Sequence, residues 1–145
     1  MSYRILPIFL FITTFTYSQS KYSCSSEEIA FFGNDITSYY DGKVLKGKTE
    51  HSLKFDGLNL QFNSEINKVK FTQNPDQYIP EYGGWCAIAL TNGVLARPDF
   101  NYYKLQNGKL LFFEVKAFFN GKTAWERDPE INKIIADKNF AELFD

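Results

Sequence analysis

The hydrophobic pattern of the chain is clearest between residues 51 and 62, where apolar and polar residues alternate on both sides of Asp56-Gly57. Side chains alternate between the two faces of a strand, and Asp-Gly is favoured in two-residue hairpin turns. The stretch therefore predicts a β-hairpin that turns at these two residues and carries its apolar side chains on one face. In this register His51 lies opposite Phe62, on the apolar face.

A second alternation surrounds Asn107-Gly108 in the stretch YYKLQNGKLLFF, residues 102–113. Asn-Gly is also a strong hairpin-turn signal, so the stretch predicts a second hairpin in which Leu105 faces Leu110. The return strand is apolar at consecutive positions rather than at alternate ones. We therefore expect it to be buried on both faces.

Capping and stop signals predict a helix after the first hairpin. Ser64 is a suitable N-cap for a helix from about Glu65 to Gln73. Asn74-Pro75 is expected to end it, because a residue that precedes proline avoids helical geometry.

The tail has a helical pattern from about Lys116, with Asp128-Pro129 as N-cap and first helical residue. Ile131, Ile134 and Ile135 share one helical face, which the later apolar residues do not continue. We therefore expect the helix to bend or restart near Asn139.

The run WCAIAL, residues 85–90, is apolar throughout and is bounded by Gly83-Gly84 and by Thr91-Asn92-Gly93. Short apolar runs between turn residues are typical of buried strands. Taken together, the predicted elements give an α+β fold, in which a small antiparallel sheet of hairpins is covered by helices.

The first 20 residues have the pattern of a secretory signal peptide, with Arg4 near the start, an apolar run over residues 5–15 and small residues before the expected cleavage points, Ser18 and Ser20. A run of about 11 apolar residues is too short to cross a bilayer as a helix. We expect an exported protein, periplasmic or extracellular, with no membrane span in the mature chain. Polar residues 21–28 are expected to be a flexible lead-in to one domain, residues 29–145.

The charge balance argues against a nucleic-acid partner. The chain has 16 basic and 17 acidic residues, so it offers no basic excess for phosphate groups. Aromatic residues make up 18% of the chain, and we expect the core to be built mainly from their rings.

Three residues are candidates for metal or nucleophilic chemistry: Cys24, His51 and Cys86. A structural zinc site needs about four Cys or His ligands, so these three scattered residues fall short of one. A thioredoxin-like motif is excluded, because no second cysteine follows Cys86 two residues later. Cys86 is left with three interpretations: a buried apolar thiol, a disulfide to Cys24, or a ligand or nucleophile acting with His51.

The run YIPEYGGWCAIAL, residues 78–90, is interpreted chiefly as a packing element. We expect Tyr78, Tyr82 and Trp85 to cluster over the glycine pair, which lets backbone pass close by, while Cys86 points into the core.

The chain resembles the exported, single-domain kind of YHS domain. The matching stretches are GNDITSYYDGKVLKG, HSLKFDGLNLQFNSEINKVKFTQNPDQYIPEYGGWCA, DFNYYKLQNGKLLFF and ADKNF, which run from Gly33 to Phe140. Of the triplet that names the family, His51 and Ser52 are present, but Glu50 stands where Tyr is expected.

The resemblance implies an α+β fold and an association with metals, with copper as the ion it suggests. On that basis Cys86 and His51 are the predicted metal ligands, although FNSEINKVKF, residues 62–71, lacks the cysteines that metal-binding relatives place there. The predicted function is a non-enzymatic module that binds a metal or a small ligand. The alternative is an enzyme that uses Cys86 with His51.

Overall fold

The computed structural model describes residues 20–144. The predicted signal peptide lies outside this range, except for its last residue, Ser20. Within the range, no helix combines the length and the apolar character needed to cross a membrane.

The fold is α+β, as predicted. Residues 20–144 form three two-stranded antiparallel ribbons and five α-helices. The strands are β1 Lys48–Phe55, β2 Leu58–Phe62, β3 Asp99–Gln106, β4 Lys109–Phe113, β5 Val115–Lys116 and β6 Phe119–Asn120. The helices are α1 Glu65–Gln73, α2 Pro75–Tyr78, α3 Ala87–Leu90, α4 Gly121–Trp125 and α5 Pro129–Phe144.

The first hairpin, β1–β2, turns at Asp56-Gly57 as predicted, and both turn residues have positive φ. The pairing then shifts, so that Phe62 lies opposite Lys48. The prediction that His51 faces Phe62 is therefore wrong. The physical cause is a bulge in β1, where the extra residues before Ser52 have no partner on β2.

The second hairpin, β3–β4, has the predicted register, with Leu105 opposite Leu110. Strand β4 is buried on both faces, as expected. Leu110 and Phe112 belong to a first core with the β1–β2 hairpin, whereas Leu111 and Phe113 belong to a second core with Trp125. The strand thus separates two clusters of side chains.

Helix α1 has the predicted bounds, and the Ser64 hydroxyl accepts a hydrogen bond from the Asn67 amide at 3.2 Å. The tail differs from its prediction. Residues from Lys116 first form the short β5–β6 ribbon, and α5 continues to Phe144 without the break expected at Asn139. Asn139 instead anchors the continuous helix by donating to the carbonyl of Leu90 at 2.7 Å.

The predicted strand at residues 85–90 is also absent from the described chain. Ala87–Leu90 is the short helix α3, and Cys86 makes one isolated bridge to Phe112. The pattern misled because a short apolar run is equally compatible with a buried strand and a buried helix turn.

The core also includes part of the segment predicted as a flexible lead-in. Ser23 and Cys24 are buried, and the Ser23 amide donates to the carbonyl of Gly83 at 3.0 Å. The segment lies against the glycine pair, and this contact brings Cys24 beside the first core.

Candidate functional site

Cys86 is sealed in the interior, with 0% of its surface exposed. Its sulfur accepts a hydrogen bond from the Glu114 amide at 3.1 Å. Burial raises the pKa of the Cys86 thiol above its ordinary value. The thiol is therefore protonated near neutral pH, which is the opposite of an activated nucleophile or a ready metal ligand.

His51 lies on β1, away from these contacts. Its ring Nδ1 is 3.3 Å from a carboxylate oxygen of Glu65 on α1. The structure thus places the two predicted ligands, Cys86 and His51, against different elements, β4 and α1. Within residues 20–144, no group of three or more His, Cys, Asp or Glu side chains is arranged to hold a metal ion.

Both cysteines are free thiols, so the disulfide that the sequence left open is not formed. The Cys24 sulfur accepts a hydrogen bond from the Phe31 amide at 3.2 Å.

Replacement of Cys86 with serine is expected to destabilise the fold by about 1 to 3 kcal/mol, because a hydroxyl replaces a buried apolar thiol. Urea unfolding of both proteins measures the loss, and copper affinity is measured on the same samples. We expect equal copper affinity in wild type and variant. A collapse of copper affinity with an unchanged unfolding midpoint would instead identify Cys86 as a ligand.

The aromatic residues around the glycine pair divide between the two cores. Tyr78 packs edge-on against Tyr40 at 5.1 Å in the first core. Tyr82 and Trp85 lie with the second core, where the Tyr82 hydroxyl donates to Asp137 at 2.7 Å. The three rings therefore do not form the single cluster that the sequence suggested.

The described chain has an open cleft of about 920 Å³, lined by parts of three segments, 23–34, 44–46 and 97–101. Neither His51 nor Cys86 lines it. Its walls are mostly apolar, and we call it the Phe32 cleft after its most exposed apolar side chain.

Phe32 is held in a conformation that bulky residues rarely adopt. Phe31, Phe32 and Gly33 form a left-handed turn with φ of 54°, 58° and 70°. The Phe31 ring is fully buried in the first core, whereas Phe32 is 78% exposed at the cleft. The turn therefore holds an apolar ring in solvent on a strained backbone. Strained backbone conformations of this kind cluster at functional sites.

Lys46 supports this turn. Its ammonium donates to the Phe32 carbonyl at 2.6 Å and lies 4.1 Å from the centre of the Phe32 ring. Cation–π contacts of this kind are attractive because the ring face is electron-rich. No carboxylate within residues 20–144 forms an ion pair with the Lys46 ammonium.

On another wall, Arg97 and Glu28 form a two-point ion pair, with nitrogen–oxygen distances of 3.1 and 2.9 Å. The hydrogen bond from Arg97 lowers the pKa of Glu28 to about 2. The pair is exposed to water, yet its fork geometry fixes the guanidinium orientation.

Hydrogen bonds through Tyr39 hold part of the cleft lining, Asn34 and Phe100. The Asn34 amide donates to the Tyr39 hydroxyl at 2.8 Å, and that hydroxyl donates to the Phe100 carbonyl at 2.8 Å. Burial raises the pKa of Tyr39 well above its usual range, so it remains a neutral donor. Cys24, only 8% exposed, also lines the cleft.

Sequence reasoning did not find Phe32, Lys46 or Arg97 as cleft residues. They come from three separate segments with no shared motif, and nothing in FFG marks which phenylalanine faces solvent. The available signal was weak: two adjacent large rings followed by glycine, in a stretch that does not alternate.

Comparison of the chain with protein-family models, with curated proteins and with solved structures found no match.

Proposed function

We propose that this protein is an exported, non-enzymatic binding module and that a small ligand occupies the Phe32 cleft. The observation that carries the proposal is the solvent-exposed ring of Phe32 at the cleft, on a backbone held in the left-handed region. Clefts of roughly 300–1,000 Å³ with apolar walls and a few fixed polar groups are the usual form of small-ligand sites. The cleft volume, about 920 Å³, lies within this range.

The polar groups of the cleft favour binding over catalysis. Nucleophilic catalysis needs a nucleophile within hydrogen-bond reach of a base. The Cys24 sulfur is instead engaged by the Phe31 amide, and Asp99 accepts from the backbone and side chain of Asn101. The alternative enzyme, based on Cys86 and His51, has no supporting contact among residues 20–144.

The proposed export rests on the signal-like pattern of residues 1–20, and the proposed kinship with YHS domains rests on the stretches between Gly33 and Phe140. Copper is the ion that this kinship suggests. Within residues 20–144, His51 contacts Glu65 and Cys86 contacts the Glu114 amide, so these two residues do not favour copper over an organic ligand.

The proposal is tested by titrating ¹⁵N-labelled protein with three probes that share one ring: indole-3-acetamide, indole-3-acetate and tryptamine. We expect at least one probe to shift the amide signals of Phe32, Gly33 and Asn101. Phe32→Ala should weaken binding about fivefold, because a ring–ring contact is lost.

Phe118→Ala is the matched control, since Phe118 is fully exposed and does not line the cleft. It should leave the affinity unchanged. The proposal is contradicted if no probe shifts the cleft amides, or if Phe32→Ala binds as well as wild type.

A further inference from the structure

The charges of the Phe32 cleft point to a ligand class. We infer that the ligand is an amphipathic organic anion, a carboxylate carried on an aromatic or apolar ring, with the carboxylate at Lys46 and the ring against Phe32. This inference rests on the proposed function of the cleft.

The apolar walls of the cleft favour a ligand that carries an aromatic or apolar ring. Ile29, Phe32 and Val44 are exposed apolar side chains that line the cleft, and Pro98 and Phe100 continue the apolar surface. Covering exposed apolar surface stabilises a complex by removing that surface from water. A small, strongly hydrated ion could not provide this contact.

The ammonium of Lys46 favours a ligand that carries a carboxylate. This ammonium has three donor hydrogens, and the contact with the Phe32 carbonyl uses one. Within residues 20–144 it has no acidic partner. The ammonium therefore keeps donors and an uncompensated charge next to the exposed ring.

Arg97, the other cation of the cleft, is already neutralised. Both of its terminal nitrogens donate to the Glu28 carboxylate. Because Glu28 is paired with Arg97, its carboxylate charge is also compensated and attracts a cationic ligand less. A second carboxylate, Asp99, has one oxygen engaged by Asn101 and no ion-pair partner among the described residues, so it is the group that a cationic ligand would use instead.

The position of Lys46 decides between these options. Its ammonium lies 4.1 Å from the Phe32 ring centre, so a ligand ring beside Phe32 is also beside this positive charge. A cationic group on that ring would be repelled, whereas a carboxylate would be attracted.

The test ranks the three indole probes by their dissociation constants, with the cleft amides locating each binding event. We expect indole-3-acetate to bind about fivefold more tightly than indole-3-acetamide, as for a partly exposed ion pair, and tryptamine to bind most weakly. Lys46→Met should abolish the preference for the acetate, and Lys46→Arg should retain it.

Lys43→Met is the matched control, because it removes the same charge from a nearby exposed lysine that does not line the cleft. It should keep the preference. Equal or tighter cleft binding of the acetamide or of tryptamine, or an acetate preference that survives Lys46→Met, would overturn the anion inference and leave the proposed function standing. If no probe shifts the cleft amides, both are overturned.

Discussion

Replacement of Asp35 with alanine is expected to lower the free energy of unfolding by about 4 kcal/mol, because several buried donors would lose their acceptor at about 1 to 3 kcal/mol each. Asp35 is 0% exposed. One carboxylate oxygen accepts from the amide and hydroxyl of Thr37, at 2.9 and 2.6 Å. The other accepts from the Asn63 amide and the Asn67 side chain, at 2.8 and 2.6 Å.

Urea unfolding followed by circular dichroism measures the loss. Asp41→Ala is the control, since Asp41 is exposed and its ion pair with Lys70, at 3.7 Å, is worth about 1 kcal/mol or less. Asp35→Asn should fall between the two, because it keeps one acceptor oxygen. A loss for Asp35→Ala no larger than that for Asp41→Ala would show that the network does not stabilise the fold.

The Asp35 network also positions the cleft. It ties the residues after the left-handed turn to the end of β2 and to α1, through Asn63 and Asn67. The neighbouring residue, Asn34, lines the cleft and is held by Tyr39. The left-handed turn that presents Phe32 is therefore followed directly by a segment that buried polar contacts hold in place.

The parts of the fold that the sequence predicted are those fixed by local chemistry. Asp56-Gly57 and Asn107-Gly108 adopt the positive φ that two-residue hairpin turns require, so both turns lie where they were predicted. Ser64 begins α1 for a similarly local reason, since its hydroxyl caps the helix three residues away.

The parts that were missed depend on tertiary packing. Within residues 85–90, Ala87–Leu90 form the helix turn α3 because they pack against α4 and α5, and no local pattern distinguishes this from a strand. His51 is not paired with Phe62 because of a bulge in β1, which the alternation of β1 does not reveal.

The candidate site was missed for a related reason. Cys86 stands in a distinctive aromatic run and was predicted as a site residue, yet Cys24 is the cysteine that lines the cleft. Lys46 and Arg97 are 51 positions apart in the sequence and line the same cleft only once the chain has folded. Their role follows from the left-handed turn that presents Phe32, for which the sequence has no strong signal.

Replacement of Gly83 with alanine is expected to destabilise the fold by about 3 kcal/mol, through backbone strain and overlap together. Gly83 has φ of +60°, and an added Cβ would overlap the carbonyl oxygen of Lys21. Gly93→Ala separates the two causes. Gly93 has φ of +68°, but its added Cβ would meet nothing within 4 Å, so this variant should lose only about 1 kcal/mol.

The overlap with Lys21 in Gly83→Ala also has a local effect, which the backbone strain in Gly93→Ala does not produce. To accommodate the new methyl group, the segment at Lys21 must move off the glycine pair, which breaks the hydrogen bond from the Ser23 amide to Gly83. Cys24, the residue after Ser23, would then become more exposed to solvent. The thiol reagent DTNB should therefore label Cys24 faster in Gly83→Ala than in Gly93→Ala, with Cys24→Ser supplying the background from Cys86. Equal labelling rates and equal stability losses would mean that the contact between Lys21 and Gly83 contributes nothing, and that residues 21–24 are held by other contacts.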